Sequence, residues 1–371
     1  MRRLVLLPLG ALAAAMPLFA ANAALPETGA VLAGAAYLKS VQLADGTYGT
    51  SDPGQNMDSI FAVRAAGYDP AKDLVDGVGP VQYFRSKVAQ VNSAAAAGKA
   101  ALAARALGLD PGNVEGTDLI AKIEGGFDAA SFRYSPGDDF SHSIAMLGLA
   151  CTGNDVPAVA SDSLQRAQLQ SGGWGFGGTA DPDTTAIAVQ ALLAVGLAKT
   201  DSTLVKALAF LKDAQGDDGG WGYDVAASNA SSTAFVVQAL LALGENPESA
   251  TYTRNGKTPI AYLLSQQRDD GSFFGFDPTF ATNQVVPALA GRTFCNAPET
   301  PITRTRPAVA PTPSATATAP ATPTASAPAP RPPAAGTGPV TPAGSGDRAV
   351  VAGLAVLAFG AAVLSLSARR R

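Results

Sequence analysis

The chain is poor in the residues that build metal centres and disulfide frameworks. Its 371 residues include one histidine and two cysteines, and charged residues make up only 15%. Neither a C-x-x-C nor an H-x-x-x-H spacing occurs, so nothing indicates a structural zinc site. His142 and Cys151 are nine residues apart on one predicted helix and face different sides of it, which argues against a shared zinc ion.

Alternating runs of β-branched residues, which indicate strands, are nearly absent. Ala- and Leu-rich segments broken by Gly, Pro and Asp predict an all-α fold of about twelve helices instead. We expect these helices near residues 29–41, 56–67, 72–90, 92–107, 115–123, 139–151, 157–169, 182–196, 201–214, 230–243, 257–267 and 280–290.

A turn motif recurs between these helices. Each copy places a glutamine before a glycine-containing turn and an aromatic residue. The clear copies are Gln42 to Tyr48, Gln168 to Trp174, Gln215 to Trp221 and Gln267 to Phe273, with a weaker copy at Glu124 to Phe127. Steps of 47 and 52 residues separate the last three glutamines, and such a period indicates a repeat architecture. Room for one degenerate copy brings the number of helical hairpins to six, enough to close an (α/α)6 ring.

Both ends of the chain differ from this repeat region. Residues 1–23 combine two arginines, an apolar run and an A-x-A site, and so resemble a cleaved secretory signal peptide, with an uncleaved N-terminal anchor as the alternative. Residues 297–348 are rich in Pro, Ala and Thr, which predicts a disordered, extended stalk. The apolar segment 349–368 is long enough for one transmembrane helix, and residues 369–371 are arginines expected to stay cytoplasmic. We therefore expect a cell-surface protein whose toroid domain, residues 24–296, is exported and anchored by its C-terminal helix.

The charge of this domain restricts its partners. Residues 24–296 hold 17 Lys and Arg against 28 Asp and Glu, a balance of −11. This balance disfavours nucleic acid and anionic membrane surfaces as ligands. Cys151 and Cys295 allow at most one disulfide. In a six-hairpin ring they lie on opposite helices, so a bridge between them requires the chain after Gly291 to cross one end of the ring.

Polar residues open every predicted helix that follows an aromatic turn. Ser, Thr, Asp and Asn at such positions commonly cap the helix by accepting its first free N–H groups. In a closed ring, however, the starts of all inner helices gather at one concave mouth that suits a ligand. The residues that we expect to line this mouth are Asp139, His142, Asp183, Thr184, Asn229 and Asn283.

The Q-x-x-D-G-x-W-G turns resemble the repeats of the prenyltransferase and terpene-cyclase superfamily, which implies an α/α toroid. Three segments are more similar to the helical domain of the intrinsic factor and transcobalamin family of cobalamin carriers: residues 184–192, 145–151 and 283–294. That resemblance implies cobalamin as a ligand, with His142 as the candidate to coordinate cobalt. The small β domain of those carriers has no counterpart in this chain.

Residues 181–184, Asp-Pro-Asp-Thr, resemble the D-x-D-D motif of squalene–hopene-type cyclases, with Thr184 in place of the last aspartate. The resemblance implies that Asp183 is a general acid, held protonated in a dry pocket. It also implies a second helical domain, for which the folded part is too short.

These observations leave three functions open. The first is non-catalytic capture of a small molecule, such as a corrinoid, at the mouth. The second is a terpene-cyclase-like enzyme in which Asp183 is the general acid. The third is a surface module that binds a partner protein, for example a transporter or a cell-wall component. No cofactor is indicated beyond cobalamin as a ligand.

Overall fold

Helices alternate between an outer and an inner layer along the chain. The computed structural model describes residues 28–224 and 227–296. The predicted signal peptide, stalk and membrane helix lie outside these residues. The outer helices are α1 (Thr28–Ser40), α3 (Pro80–Lys87), α5 (Leu119–Glu124), α7 (Ala158–Arg166), α9 (Ser202–Asp213) and α11 (Pro259–Ser265). The inner helices are α2 (Pro53–Ala65), α4 (Ala94–Ala106), α6 (Asp139–Ala150), α8 (Pro182–Ala194), α10 (Ala230–Leu243) and α12 (Pro278–Leu289).

The six inner helices form a closed ring. Each contacts the next inner helix along the chain, and α12 contacts α2. The prediction of six hairpins is confirmed, and the inner helices begin within three residues of their expected starts. Within the described ranges, no helix is both long and apolar enough to cross a bilayer.

Every inner helix begins at a side chain that accepts a hydrogen bond from a backbone N–H three residues later. This satisfies one of the free donors at each helix start and fixes where the helix begins. The capping residues are Asp52, Ser93, Asp138, Asp181, Asn229 and Asp277.

The glutamines of the repeated turn join neighbouring hairpins. Gln215 Nε2 donates to Gly219 O in its own turn, 2.9 Å away, and to Tyr252 O of the next hairpin, 2.7 Å away. Gln42 and Gln168 repeat this pattern. Gln267 does so with Ala30 O of the first hairpin, at 2.9 Å, and so closes the ring.

The turn aromatics are anchors between the two layers. Trp221 is fully buried, and its indole N–H donates to Leu211 O at 2.6 Å. Its backbone N–H donates to Thr233 Oγ1, 2.9 Å away, on the following inner helix. Gly219 in the same turn has φ of +86°, and a Cβ there would lie 2.7 Å from Lys257 O. The turn therefore needs glycine at this position.

The structure departs from the sequence expectations in three places. The helix expected over residues 72–90 is reduced to α3, because Gly79 and Pro80 allow a helix to begin only there. A two-residue hairpin, β1 (Gly175–Phe176) with β2 (Thr179–Ala180), precedes α8 and was not expected. In the weak third turn the anchoring aromatic is Tyr134 rather than Phe127, since the Tyr134 N–H donates to His142 Nδ1 at 3.1 Å.

Candidate functional site

Half-buried residues at the N-terminal ends of the inner helices mark a recess at that end of the ring, which we call the funnel. Phe140 on α6 and Phe235 on α10 meet with ring centroids 6.2 Å apart, although α8 separates these helices in the ring. Both side chains must therefore lie inside the ring. The residue two positions after the N-cap is half-buried in each of the first five inner helices and forms the rim of the funnel: Gly54, Ala95, Phe140, Asp183 and Ser231.

The other end of the ring is covered by the chain that follows α12. Cys295 is disulfide-bonded to Cys151 at the end of α6, with Cα atoms 4.8 Å apart. Phe294 stacks on Phe61 of α2 with centroids 5.4 Å apart. Arg105 of α4 donates to Cys295 O at 2.8 Å. The chain after α12 therefore crosses the ring, as a Cys151–Cys295 bridge requires, and closes the end opposite the funnel.

Two carboxyl groups at the start of α8 have different surroundings. Asp181 is buried and caps the helix: Oδ1 accepts from Thr184 N at 2.7 Å and Oδ2 from Thr184 Oγ1 at 2.9 Å. Burial raises the pKa of Asp181 to about 6, although these hydrogen bonds oppose the shift. Asp183 faces the funnel, and its Oδ1 is buried without a hydrogen-bond partner.

Burial also raises the pKa of Asp183, to about 7, with a smaller contribution from the charge of Asp181. A hydrogen bond from Ser232 of α10 acts in the opposite direction. The raised pKa means that Asp183 holds its proton to a much higher pH than an exposed aspartate does. A protonated carboxylic acid at the rim of the funnel can donate its proton to a bound molecule.

Other polar groups surround this pair of carboxyl groups. Tyr223 lies close enough that the charges of Asp181 and Asp183 add to the effect of burial and raise the pKa of its phenol. Asp139 forms an ion pair with Arg133, and burial raises the pKa of Asp139 against the effect of that arginine. The α6–α8 side of the mouth is thus acidic, with a phenol nearby.

The predicted site residues separate into two groups. Asp139, Asp183 and Asn229 are half-buried at the mouth. Thr184 is buried and occupied with capping Asp181. Asn283 is 2% exposed between α12 and α2, where its Nδ2 lies 3.5 Å from Gln55 O, so it does not line the mouth.

His142 is a correction to the sequence reasoning. Its side chain is fully buried between α6 and α7 rather than in the mouth. Nδ1 accepts from Tyr134 N at 3.1 Å, and Nε2 lies 3.1 Å from Ala160 O. Burial lowers its pKa to about 4, so the imidazole is neutral and holds the preceding turn. It has no free nitrogen to offer a cobalt ion.

Sequence reasoning missed a charged pair on the opposite wall. Lys99 Nζ of α4 lies 2.7 Å from Asp58 Oδ2 of α2, with side-chain exposures of 17% and 12%. Both residues lie six positions after their N-caps, one helical turn deeper than the rim. Loss of solvation raises the pKa of Asp58, while Lys99 lowers it. Counting from the N-caps is the signal that would have found the pair.

The comparisons with known proteins agree with this geometry. Residues 128–283 match the family model of the squalene-hopene cyclase C-terminal domain. Over these residues the helical repeats are similar to those of the prenyltransferase and terpene-cyclase superfamily. No curated protein sequence matches the chain significantly.

Solved structures share this terpene-cyclase-like toroid. The type II terpene cyclase MstE from Scytonema superimposes with a TM-score of 0.53 at 15% identity, over 71% of this chain and 97% of that chain. An MstE variant in complex with geranylgeranyl dihydroxybenzoate gives 0.52 at 16% identity, over 71% and 96%. Haptocorrin in complex with Cbi gives a TM-score of 0.47 at 18% identity, over 73% of this chain and 68% of that chain.

Chain length does not separate this toroid from a cyclase. The match covers nearly all of MstE, so that type II terpene cyclase has no large second domain beyond the shared toroid. The length of this toroid therefore does not exclude cyclase chemistry. Among the described residues, no group of three or more His, Cys, Asp and Glu side chains is placed to hold a metal ion.

Proposed function

We propose that the funnel binds an isoprenoid-class molecule and that Asp183 donates a proton to one of its carbon–carbon double bonds, starting a cyclization. The observation that carries the proposal is the surroundings of Asp183. Asp183 lies half-buried at the rim, but its carboxyl group is buried, with a pKa raised to about 7 and an oxygen that has no partner. Its position in the Asp-Pro-Asp-Thr segment also corresponds to the general acid of the cyclase motif that this segment resembles.

The remaining funnel residues fit this chemistry. The proton adds to one alkene carbon, the π electrons form the new C–H bond, and the neighbouring carbon becomes a cation. A second double bond of the same chain attacks that cation and closes a ring. Phe140 and Phe235 present aromatic rings in the funnel, and such rings stabilise a cation. Loss of a proton from the cyclized cation ends the reaction, and solvent at the mouth reprotonates Asp183.

Turnover of isoprenoid probes tests the proposal. Purified toroid is incubated with squalene, geranylgeraniol or farnesol, and cyclized products are measured by gas chromatography with mass detection. We expect Asp183→Asn to lower the rate about 100-fold or more, because the amide cannot supply the proton. Asp213→Asn is the matched control, since Asp213 ends the outer helix α9. Absence of cyclized product from every probe with the wild type would contradict the proposal.

The pH dependence of that rate identifies the protonation state of the acid. Only protonated Asp183 is active, so the rate should be constant well below pH 7 and fall about tenfold per pH unit above it. A rate that instead rises through pH 7 would assign Asp183 the role of a base.

Capture without turnover is the second candidate, and one observation favours it. Thr184 occupies the position of the last aspartate of the cyclase motif, and its hydroxyl is used by Asp181. Retention of a probe by the wild type without conversion would support capture. A corrinoid held at this mouth would lack imidazole coordination, because His142 is buried elsewhere. Export and membrane anchoring stay predictions of the sequence, since residues 1–27 and 297–371 are outside the described ranges.

A further inference from the structure

The ion pair between Asp58 and Lys99 occupies positions that are apolar in α6, α8 and α10 and carry a buried amide, Asn283, in α12. Six residues after the N-cap, α6, α8 and α10 carry Ile144, Ile187 and Phe235, which are almost completely buried. Only α2 and α4 place opposite charges there, and these remain in part open to the funnel. The funnel is therefore more polar on this side.

The fold itself has little need of this pair. Met57 and Ile60 of α2 and Leu102 of α4 belong to one apolar cluster, which already joins the two helices. Moving two charges out of water costs free energy that their mutual attraction often only offsets. A charged pair that is not required for packing, in a concave site, is a candidate for ligand recognition.

The pair has hydrogen-bonding capacity left over. An ammonium group has three N–H donors, and Lys99 uses one of them on Asp58 Oδ2. Asp58 Oδ1 makes no hydrogen bond to any described residue, yet it is not sealed from the funnel. One acceptor and two donors are thus available side by side.

The net charge of the pair selects the chemistry of its ligand. An anion would be attracted by Lys99 but repelled by Asp58, and the reverse holds for a cation. An uncharged hydroxyl group meets neither penalty, because its O–H donates to Asp58 Oδ1 while its oxygen accepts from Lys99 Nζ. Hydrogen bonds to charged groups are stronger than neutral ones, so this arrangement favours an alcohol.

We infer that Asp58 and Lys99 form a polar subsite that binds the hydroxyl head group of an isoprenoid alcohol. Because the six inner helices close a ring in chain order, α2 and α4 lie opposite α8 and α10. A chain whose hydroxyl is held at this pair extends its double bonds across the funnel toward Asp183. The inference rests on the proposed function for the class of ligand, and it adds what orients that ligand.

Binding of two matched probes tests the subsite. Farnesol carries a hydroxyl at one end of its chain, whereas farnesene is a hydrocarbon of the same class. Both are titrated by calorimetry into the full toroid carrying Asp183→Asn, which stops turnover. Adding Asp58→Leu and Lys99→Met together should weaken farnesol binding about tenfold and leave farnesene binding unchanged. Removing both partners avoids leaving one buried charge unpaired, so the melting temperature should not fall.

A surface ion pair provides the control. Arg85 and Glu115 are 3.1 Å apart and about half exposed, and Arg85→Met with Glu115→Leu should change neither affinity. An equal loss of affinity for both probes in the Asp58–Lys99 double variant, or an unchanged affinity for farnesol, would overturn the subsite. So would equal affinities of the Asp183→Asn toroid for farnesol and farnesene. Farnesol bound through this pair but never cyclized by the wild type would overturn only the role of Asp183 as proton donor.

Discussion

Asp183 and Thr184 are adjacent residues at the start of α8, and they have different roles. The Thr184 hydroxyl donates to Asp181 and helps to cap the helix, so it is not available to a ligand. Asp183 leaves one carboxylate oxygen buried and unpaired on the funnel wall. Sequence reasoning named both as site residues, because Asp and Thr serve caps and binding sites equally well. Knowing that Asp181 is the N-cap shows that Thr184 takes part in capping and that Asp183 does not.

Replacing Gln190 by an apolar residue should make the protein more stable. It lies on α8, both of its amide atoms are buried, and neither has a hydrogen-bond partner among the described residues. Gln190→Leu removes this unsatisfied group at similar volume, so we expect the free energy of unfolding to rise by about 1–2 kcal/mol. Urea denaturation followed by circular dichroism measures the change.

The comparison variant is Gln165→Leu on the half-buried surface of α7, where the amide has a weak bond to Ser161 Oγ at 3.4 Å. Its stability should stay within about 0.5 kcal/mol of the wild type. A loss of stability in Gln190→Leu would mean that an ordered water satisfies the glutamine in solution.

At the scale of elements, the repeated turn does more than reverse the chain. Its glutamine connects two hairpins through two backbone carbonyl groups, and its aromatic residue connects the outer and inner layers. We expect Gln215→Ala to lower the free energy of unfolding by about 2–4 kcal/mol, since Gly219 O and Tyr252 O would lose their donor.

Thermal and urea unfolding of Gln215→Ala measure this effect, with Gln266→Ala as the matched control. Gln266 bonds only to the exposed Ser265 hydroxyl through its side chain, so its loss should cost little. Equal effects of the two substitutions would show that the turn glutamine does not couple the hairpins.

The sequence predicted the elements well and the site only in part. Turns and caps depend on local chemistry, so Gln215, Trp221 and two of the N-cap residues, Asp181 and Asn229, could be recognised without a structure. Which polar residue reaches the funnel depends on its distance from the cap. Position four after the cap holds the preceding turn, as His142 does. Position six is partly open to the funnel in α2, as Asp58 is, but packs against the neighbouring helix in α12, as Asn283 does. An uncertainty of a few residues in a predicted helix start is enough to confuse the two.

At the scale of the whole molecule, the disulfide joins residues 144 positions apart and fastens the floor of the ring. Replacing Cys151 and Cys295 together by serine should lower the free energy of unfolding by roughly 4–5 kcal/mol, because the unfolded chain loses a long closed loop. Urea denaturation of the wild type with and without reductant gives the same comparison without mutation. Two titratable thiols in the native, unreduced protein would contradict the bond.

The segment that floors the ring also fixes which way the toroid faces. Outer helices run antiparallel to inner helices, so the first described residue, Thr28, lies at the same end as the C-termini of the inner helices. Asn296 follows the disulfide at that end as well. Both ends of the described chain therefore lie at the closed end of the ring, opposite the funnel. An attachment through residues after 296 would therefore point the funnel away from the point of attachment. Because the other end of the ring is closed, a molecule must enter and leave the funnel by the same opening.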